Sequence, residues 1–496
     1  MSSLVDTFVV LLLVAFFLGS GVWVFLGLIL VAASGLLIIN GFSLQRIALL
    51  MEPALWSSAT TWELSAIPLF VWMGDILFRT DVSERLFRGL APLVRNLPGR
   101  LLHTNVLGSA MFAAISGSSA ATTATVGKIT VAALSDRGYA KGISMGSLAG
   151  AGSLGILIPP SIPMIIYGVQ AEVSITDLFL AGFIPGIMMA AIYSVYIAIA
   201  CWLKPDMVPT EERFKITLSV LYRSLLDLWP ILALIVIVMG GIYSGVVTPS
   251  EAAAIGVLAA ILITAAMGSL SIAILRESLV SSVQTSCMIG TILVAASFLS
   301  SAFGYMHIPA GVAQGVQAMH LSPLGLMVVL TVVYLILGCL LDGVSMIVMT
   351  LPLVYPLIVA AGFHPVWFGV YLMLMIELAM VTPPVGFNLF VIQAIANEQL
   401  FTVARAALPF FFLMLLGVVI LYIFPSIVLR IWLELLESLE IKGNRRRLSV
   451  AAADSATSRT LLRRYSRTVQ TDFARNCPHI YLTESLTCDP RIRPFE

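Results

Sequence analysis

The stretches ISGSSAATTATVGKI (115–129) and LGILIPPSIPMIIYG (154–168) decide the fold. In the first, the apolar arm LLHTNVLGSAMFAAI (101–115) meets the polar tip SGSS (116–119) and continues as AATTATVGKITVAAL (120–134). Each arm is about 22 Å long as a helix, too short to cross a ~30 Å hydrocarbon core twice. Such a polar, glycine-centred tip predicts a re-entrant helical hairpin. In the second stretch, Pro159 and Pro160 interrupt an apolar run. Proline removes an amide donor and clashes with the preceding turn, so the helix breaks there, and the second proline can open the next half-helix.

The same order recurs downstream. MVVLTVVYLILGCLL (327–341) reaches Asp342 and Gly343, and VSMIVMTLPLVYPLIVAA (344–361) follows; LAMVTPPVGFNLFVIQAIA (378–396) is then split by Pro383 and Pro384. Gly343 follows Gly117 by 226 residues and Pro383 follows Pro159 by 224. Two unlike landmarks displaced by nearly one interval predict an internal duplication. Non-helical backbone at membrane depth is tolerated only where protein or a watered cavity satisfies it. Paired Gly/Pro breaks in two halves therefore point to a binding site near the bilayer midplane.

Composition agrees. The 496 residues are 59% hydrophobic and 11% charged, with mean hydropathy +1.02. Soluble domains carry about 25% charged residues, so lipid must be the solvent here. Further apolar runs lie near 7–39, 54–78, 178–203, 227–247, 251–268, 279–303 and 407–433. The N-terminal run has no basic n-region and is too long for a signal-peptide core, which predicts a retained membrane segment. Segments 79–100, 136–141 and 204–223 hold clustered Lys and Arg, while 171–177, 243–250, 304–323 and 362–365 hold none. The basic set is expected to be cytoplasmic.

Other classes are excluded by their missing signatures. The net charge of +1 is not gathered on a folded face, so nucleic acid is not expected as a partner. Gly127–Lys128 resembles part of a phosphate loop, but Ile129 follows the lysine and Thr122 replaces the first glycine. No nucleophile elbow, HExxH pair or pair of intramembrane aspartates is present, so no enzyme is expected. The five cysteines form no CxxC pair and the five histidines are scattered, which predicts neither disulfides nor a transition-metal site. Gly146 and Gly150 make a GxxxG pair that predicts close helix packing.

At these motifs the sequence resembles the large membrane subunit of the tripartite ATP-independent periplasmic (TRAP) transporters, the DctM-type permeases. PLFVWMGDILFR (68–79), VSITDLFLAGFIPG (173–186), GGIYSGVVTPSEAAAIGV (240–257), LGCLLDGVSMIVMTLPLVYPL (337–357) and MVTPPVGFNLFVIQ (380–393) carry the resemblance with the two opening stretches, over about residues 1–435. It departs at Ala132–Leu134, where a Pro-x-Met-like stretch is expected. The resemblance implies an elevator-type secondary transporter: an all-α polytopic protein of the bacterial inner membrane with two repeats, each a re-entrant hairpin and a Pro-Pro-broken helix. It implies Na⁺ as coupling ion, no other cofactor, uptake of a small organic anion such as a C4-dicarboxylate, a small membrane subunit and a periplasmic solute-binding protein. The alternative is a stand-alone Na⁺- or H⁺-coupled carboxylate transporter of related elevator fold.

The expected organisation is scaffold helices over 1–100, a first transport repeat over 101–203 and linker and scaffold helices over 204–303. A second repeat with the last helix covers 304–435, and a basic, disordered tail covers 436–496. Within the repeats, the hairpins occupy 101–135 and 324–361 and the broken helices 154–169 and 378–396. A first Na⁺ site is expected at Ser116, Gly117 and Ser118, with Gly155 and Pro159 opposite. A second is expected at Asp342, Gly343 and Ser345, with Val381, Thr382 and Pro383 opposite. Asp342 could equally be an N-cap. Substrate contacts are expected from Ser118, Ser119, Thr122, Thr123 and Asn388, although Ser and Thr also bond their own helix. Lys128 is either a counter-charge or a snorkelling surface lysine.

Overall fold

The computed structural model describes residues 2–209, 217–318, 321–339, 341–383 and 386–429. The chain divides into two units, Met1–Trp432 and Leu433–Glu496. The second, with the basic tail expected over 436–496, lies outside the described residues. The described residues contain helices and no strand.

The first 78 residues depart from the apolar runs. Residues 7–39 form two helices, α1 (Ser2–Gly19) and α2 (Val24–Ile39). They part at Gly21, whose φ of 76° is left-handed backbone that glycine tolerates. The run 54–78 likewise divides into α3 (Leu44–Ala59), a 3₁₀ turn (Trp62–Ser65) and α4 (Ala66–Phe78), bent by 53°. The basic segment 79–100 is no plain loop. It contains α5 (Val82–Val94), which buries Val82, Leu86, Leu90 and Val94 and turns its charges outward. That is the amphipathic spacing of one helix face.

The hairpin segment forms α6 (Leu102–Ser116) and α7 (Ser119–Asp136), and the broken segment α8 (Lys141–Leu157) and α9 (Ile162–Gln170). The long helices α10 (Ile175–Leu203), α11 (Leu218–Tyr243), α12 (Pro249–Ala266) and α13 (Ile272–Tyr305) follow. Segment 304–323, bare of Lys and Arg, holds α14 (Ile308–Ala318). The second hairpin is α15 (Pro323–Gly338) and α16 (Gly343–Ala360), the second broken pair α17 (Pro365–Val381) and α18 (Phe387–Ala396), and α19 (Leu400–Ile423) comes last. Among the described residues seven helical stretches are long and apolar enough to span a membrane, with α8–α9 counted as one, or eight with the bent α3–α4 pair.

Two helices organise the packing. α13 gathers α2, α3 and α4, while α12 packs on α4 and α11. α8 gathers α6, α7, α10, α17 and α19, and every residue from Ser144 to Leu157 is buried. Its composition explains this: KGISMGSLAGAGSLGIL has few large side chains, so neighbouring backbones approach closely. Gly146 abuts the Ala406 carbonyl, and Gly150 the Phe410 ring, both on α19. The halves also exchange contacts: α9 packs on α16 and α18 packs on α7.

The outward surface is apolar. Val195, Val236, Leu258, Leu262 and Phe412 are exposed on four of the long helices. A belt of this kind would be an aggregation hazard in water but faces its natural solvent in a bilayer. Lys141 and Glu398 form an ion pair of 2.6 Å, which places the α18–α19 turn at the same end as the start of α8.

Replacing Gly146 by Leu should force α8 away from α19, because the Ala406 carbonyl occupies the space of the new side chain. Overpacking of this kind costs about 1–3 kcal/mol, to be read as a lower melting temperature. Gly142→Leu should leave it unchanged, since its β-carbon position is open.

Candidate functional site

α6 stops because Gly117 turns left-handed, with φ of 61°. Its N–H still donates to the Ala113 carbonyl at 3.1 Å. Ser118 is extended and caps α7, its hydroxyl accepting from the Ala121 N–H at 3.4 Å. The Thr122 hydroxyl donates to the Ser118 carbonyl at 2.8 Å and lies 2.9 Å from Ser116 Oγ. The tip is therefore tied by its own hydroxyls to the first turn of α7.

Opposite stands the break between α8 and α9. Ile158 is extended, as the residue before a proline tends to be, and Pro159–Pro160 is a cis peptide. Ser161 then caps α9 by accepting from the Met164 N–H at 3.5 Å, with Pro163 in the first turn. Tip and break join through the backbone: the Ile162 N–H donates to the Gly117 carbonyl at 3.3 Å. Clearance is minimal. A β-carbon on Gly117 would sit 2.8 Å from the Pro160 carbonyl oxygen, and one on Gly155 would sit 2.6 Å from that of Ser118. Gly117 and Ser118 thus meet Pro160 and Gly155 across one interface, with Ser116 and Pro159 beside them in sequence.

The second pair is built differently. Asp342 caps α16, its carboxylate accepting from the N–H groups of Val344 at 3.1 Å and Ser345 at 3.3 Å and from the Ser345 hydroxyl. A carboxylate at a helix N-terminus is stabilised by those free donors and by the helix dipole. α17 ends at Val381, where Thr382 turns extended and donates its hydroxyl to the Leu378 carbonyl at 2.5 Å. The Cys339 thiol reaches the Pro383 carbonyl at 3.3 Å, and the Gly386 N–H reaches the Thr382 carbonyl at 2.9 Å. Gly343 faces Ile376 of α17. Pro384, the second proline of this break, lies outside the described residues.

The two halves meet at Asn388. Its amide donates to Ser119 Oγ at 2.7 Å, and Ser119 Oγ donates to the Gly152 carbonyl at 3.2 Å. All three residues are buried, and so are Thr122 and Thr123. Among the described residues Asn388 Oδ1 and Thr123 Oγ1 have no hydrogen-bond partner. Unpaired buried acceptors and hydroxyls cost about 1–3 kcal/mol each, which a polar ligand would offset. Ser119, Thr122, Thr123 and Asn388 thus cluster beside Ser118. Lys128 does not join them: it is exposed, ten residues past Ser118, or about 15 Å along α7.

One group escaped the sequence reading. Glu377, on α17, is wholly buried and neither carboxylate oxygen has a hydrogen-bond partner among the described residues. An ionisable residue inside an otherwise apolar segment is the signal that could have found it. Away from these tips, a cleft of about 580 Å³ is lined by Trp62, Glu63, Glu172, Ser174 and Thr248 among others, all in or beside segments poor in Lys and Arg.

Known proteins agree with this architecture. The profile of "Tripartite ATP-independent periplasmic transporter, DctM component" matches residues 9–427. The C4-dicarboxylate TRAP transporter large permease protein DctM of Pseudomonas aeruginosa is 33% identical over 76% of this chain and 88% of its own. The ectoine TRAP transporter large permease protein TeaC of Halomonas elongata is 30% identical over 74% of this chain and 85% of its own. Among solved structures, the YdaH transporter of Alcanivorax borkumensis superposes with a TM-score of 0.56 at 12% identity, covering 85% of this chain and 98% of that one. At that identity the likeness concerns the fold alone. This multi-pass membrane protein belongs to the DctM family, the large permease component of TRAP transporters, and is not an enzyme.

Proposed function

We propose that the chain is the ion-coupled permease of a TRAP system in a bacterial inner membrane. Na⁺ drives uptake of a small organic anion handed over by a periplasmic solute-binding protein, and a small membrane subunit completes the assembly. The observation that carries this reading is the Gly117–Ile162 backbone bond, which joins a polar hairpin tip to a broken helix inside the apolar core. Carbonyls freed at such breaks can hold a cation without a buried charge, and half-helix N-termini attract anionic groups.

The first sodium site is assigned to Ser116, Gly117 and Ser118 with Gly155 and Pro159. The second is assigned to Asp342, Gly343 and Ser345 with Val381, Thr382 and Pro383. The substrate is assigned to the pocket of Ser118, Ser119, Thr122, Thr123 and Asn388. Asn388 supports that assignment, because it brings a side chain from the second half onto the tip of the first. Lys128 takes its surface reading. The exchanged contacts of α9 with α16 and α18 with α7 are what a duplicated, inverted arrangement would produce. In the elevator reading, 101–203 and 304–435 move as the transport body against scaffold helices from 1–100 and 204–303. The similar permeases are named for C4-dicarboxylate and for ectoine. We therefore assign the class, a small organic anion such as a carboxylate, and leave selection among such solutes to the binding protein.

The reading is tested by the melting temperature of the purified chain in NaCl and in matched choline chloride. A site with Kd of about 10 mM at about 100 mM Na⁺ stabilises the fold by roughly 1.4 kcal/mol. The expected result is a shift specific to Na⁺ that Ser118→Ala reduces; equal melting in both salts would refute sodium coupling.

Gly117→Val should abolish uptake while leaving membrane insertion intact, since valine is strained at φ of 61° and its β-carbon meets Pro160. Normal uptake by that variant, in vesicles supplied with the binding protein, would remove the tip from the site.

A further inference from the structure

The helices α6 and α8 pack on one another, and each starts beside a segment rich in Lys and Arg, 79–100 and 136–141. Both run from there to the first tip. Ser116 follows Asn105 by 11 residues and Gly155 follows Ser144 by 11, about 16 Å along either helix. The seam between them therefore leads from the basic end of the molecule to the hairpin tip.

The outer part of this seam is polar. The Asn105 amide donates both its hydrogens to α8, to the Ser147 hydroxyl at 2.8 Å and to the Ser144 carbonyl at 3.2 Å. The Ser147 hydroxyl donates its own hydrogen to the Ser144 carbonyl at 3.0 Å. Asn105, Ser109 and Ser147 are wholly buried, and Ser144 nearly so. A carbonyl can only accept, so the bond to Ser144 fixes the amide: its nitrogen faces the α8 backbone and its oxygen is left over. Among the described residues Asn105 Oδ1 has no hydrogen-bond partner, and neither has Ser109 Oγ, one turn further on the same helix face.

The uncommitted atoms are thus oxygens: Asn105 Oδ1, Ser109 Oγ and the remaining lone pair of Ser147 Oγ. They offer a carboxylate one hydroxyl donor at most, whereas oxygen dipoles of this kind replace the hydration of a cation. Inward of Ser109 the character changes. Residues Ala110 to Ile115 are all apolar, and Ser116 follows Ser109 by 7 residues, so the polar part stops about 10 Å short of the tip. On the facing helix Leu148 is the one large side chain between Gly146 and Ser153.

We propose that Asn105 and Ser109, with the Ser147 hydroxyl opposite, form a relay site for a monovalent cation between the first tip and the Lys/Arg-rich end. The inference rests on the sodium reading of Ser116, Gly117 and Ser118, and it adds the route by which that ion comes and goes. The stretch 110–115 closes the route in this conformation, and parting α6 from the short side chains of α8 opens it. Because the amide hydrogens of Asn105 are committed, the route selects the cation over the anionic substrate.

The test places a thiol in the seam. Ser109→Cys, in the full chain in lipid nanodiscs, is treated with a cationic and with an anionic alkylthiosulfonate of matched size. Each rate is taken relative to that of a free thiol in solution and corrected for the wild-type cysteines. The expected result is labelling about tenfold faster by the cationic reagent, and slower in NaCl than in choline chloride. Equal rates for the two reagents, rates indifferent to Na⁺, or no labelling would overturn the relay. Should Ser109→Cys fail to fold, Ser147→Cys on the facing helix is read in the same way. Melting keeps this outcome apart from the sodium test. Ser109→Ala breaks no hydrogen bond to a described residue and should keep the wild-type shift specific to Na⁺. Loss of that shift in Ser109→Ala alone would make Ser109 part of the sodium site and overturn the relay; its absence in wild type would remove the sodium site and the relay with it.

Discussion

Backbone amides and carbonyls inside a bilayer have no water to bond, and the architecture of this permease follows from that deprivation. A helix satisfies itself, whereas a broken helix exposes groups at its break. Here the exposed groups of two breaks answer one another: the carbonyl of Gly117, released where α6 ends, receives the N–H of Ile162, released where α9 begins. Serine hydroxyls at Ser118 and Ser161 take up further donors from the helix starts beside them. Since each break is a partner of the other, neither could be straightened without stranding its counterpart.

This mutual dependence explains why α8 has such an unusual composition for a buried helix. It must lie against the α6–α7 hairpin and α10 of its own half and against α17, α18 and α19 of the second half, all within the reach of short side chains. Gly155 lets the Ser118 carbonyl approach, and the glycines earlier in α8 admit α19. The polar groups admitted with the backbones then gather in one buried cluster. Ser119 is held between the Gly152 carbonyl and Asn388, while Thr123 and the other end of the Asn388 amide stay unpaired. Close approach and unsatisfied polarity thus come from one cause, the removal of side-chain bulk around α8.

The two halves meet this constraint by different chemistry. The first tip is capped by serine and tied by threonine, without charge. The second is capped by Asp342, whose carboxylate takes two amide donors and one hydroxyl of its own helix. A permease built on this plan has one neutral and one acidic helix cap at its breaks, and a third polar locus at Glu377 where no cap is needed at all.

Read alone, the chain determined its solvent, its helical class, its family and the places where its helices break. Each of these is encoded locally: apolar run length sets spanning, Pro159, Pro383 and Gly117 end helices through their own backbone chemistry, and Asp342 caps the helix that Gly343 opens. Ser118, Ser119 and the threonines after them were legible for the same reason, as polar residues at a predicted tip. Other features depended on the tertiary structure, because they are distances between segments far apart in sequence. Asn388 reaches Ser119 across 269 residues, and no periodicity announces such a meeting. Lys128 looked eligible in sequence but its helix turns it outward, and the run 7–39 divides at a left-handed glycine that composition does not reveal. Glu377 shows the boundary most clearly. Its charge is visible in the chain, yet only the enclosing helices decide that its oxygens meet no hydrogen-bond partner among the described residues.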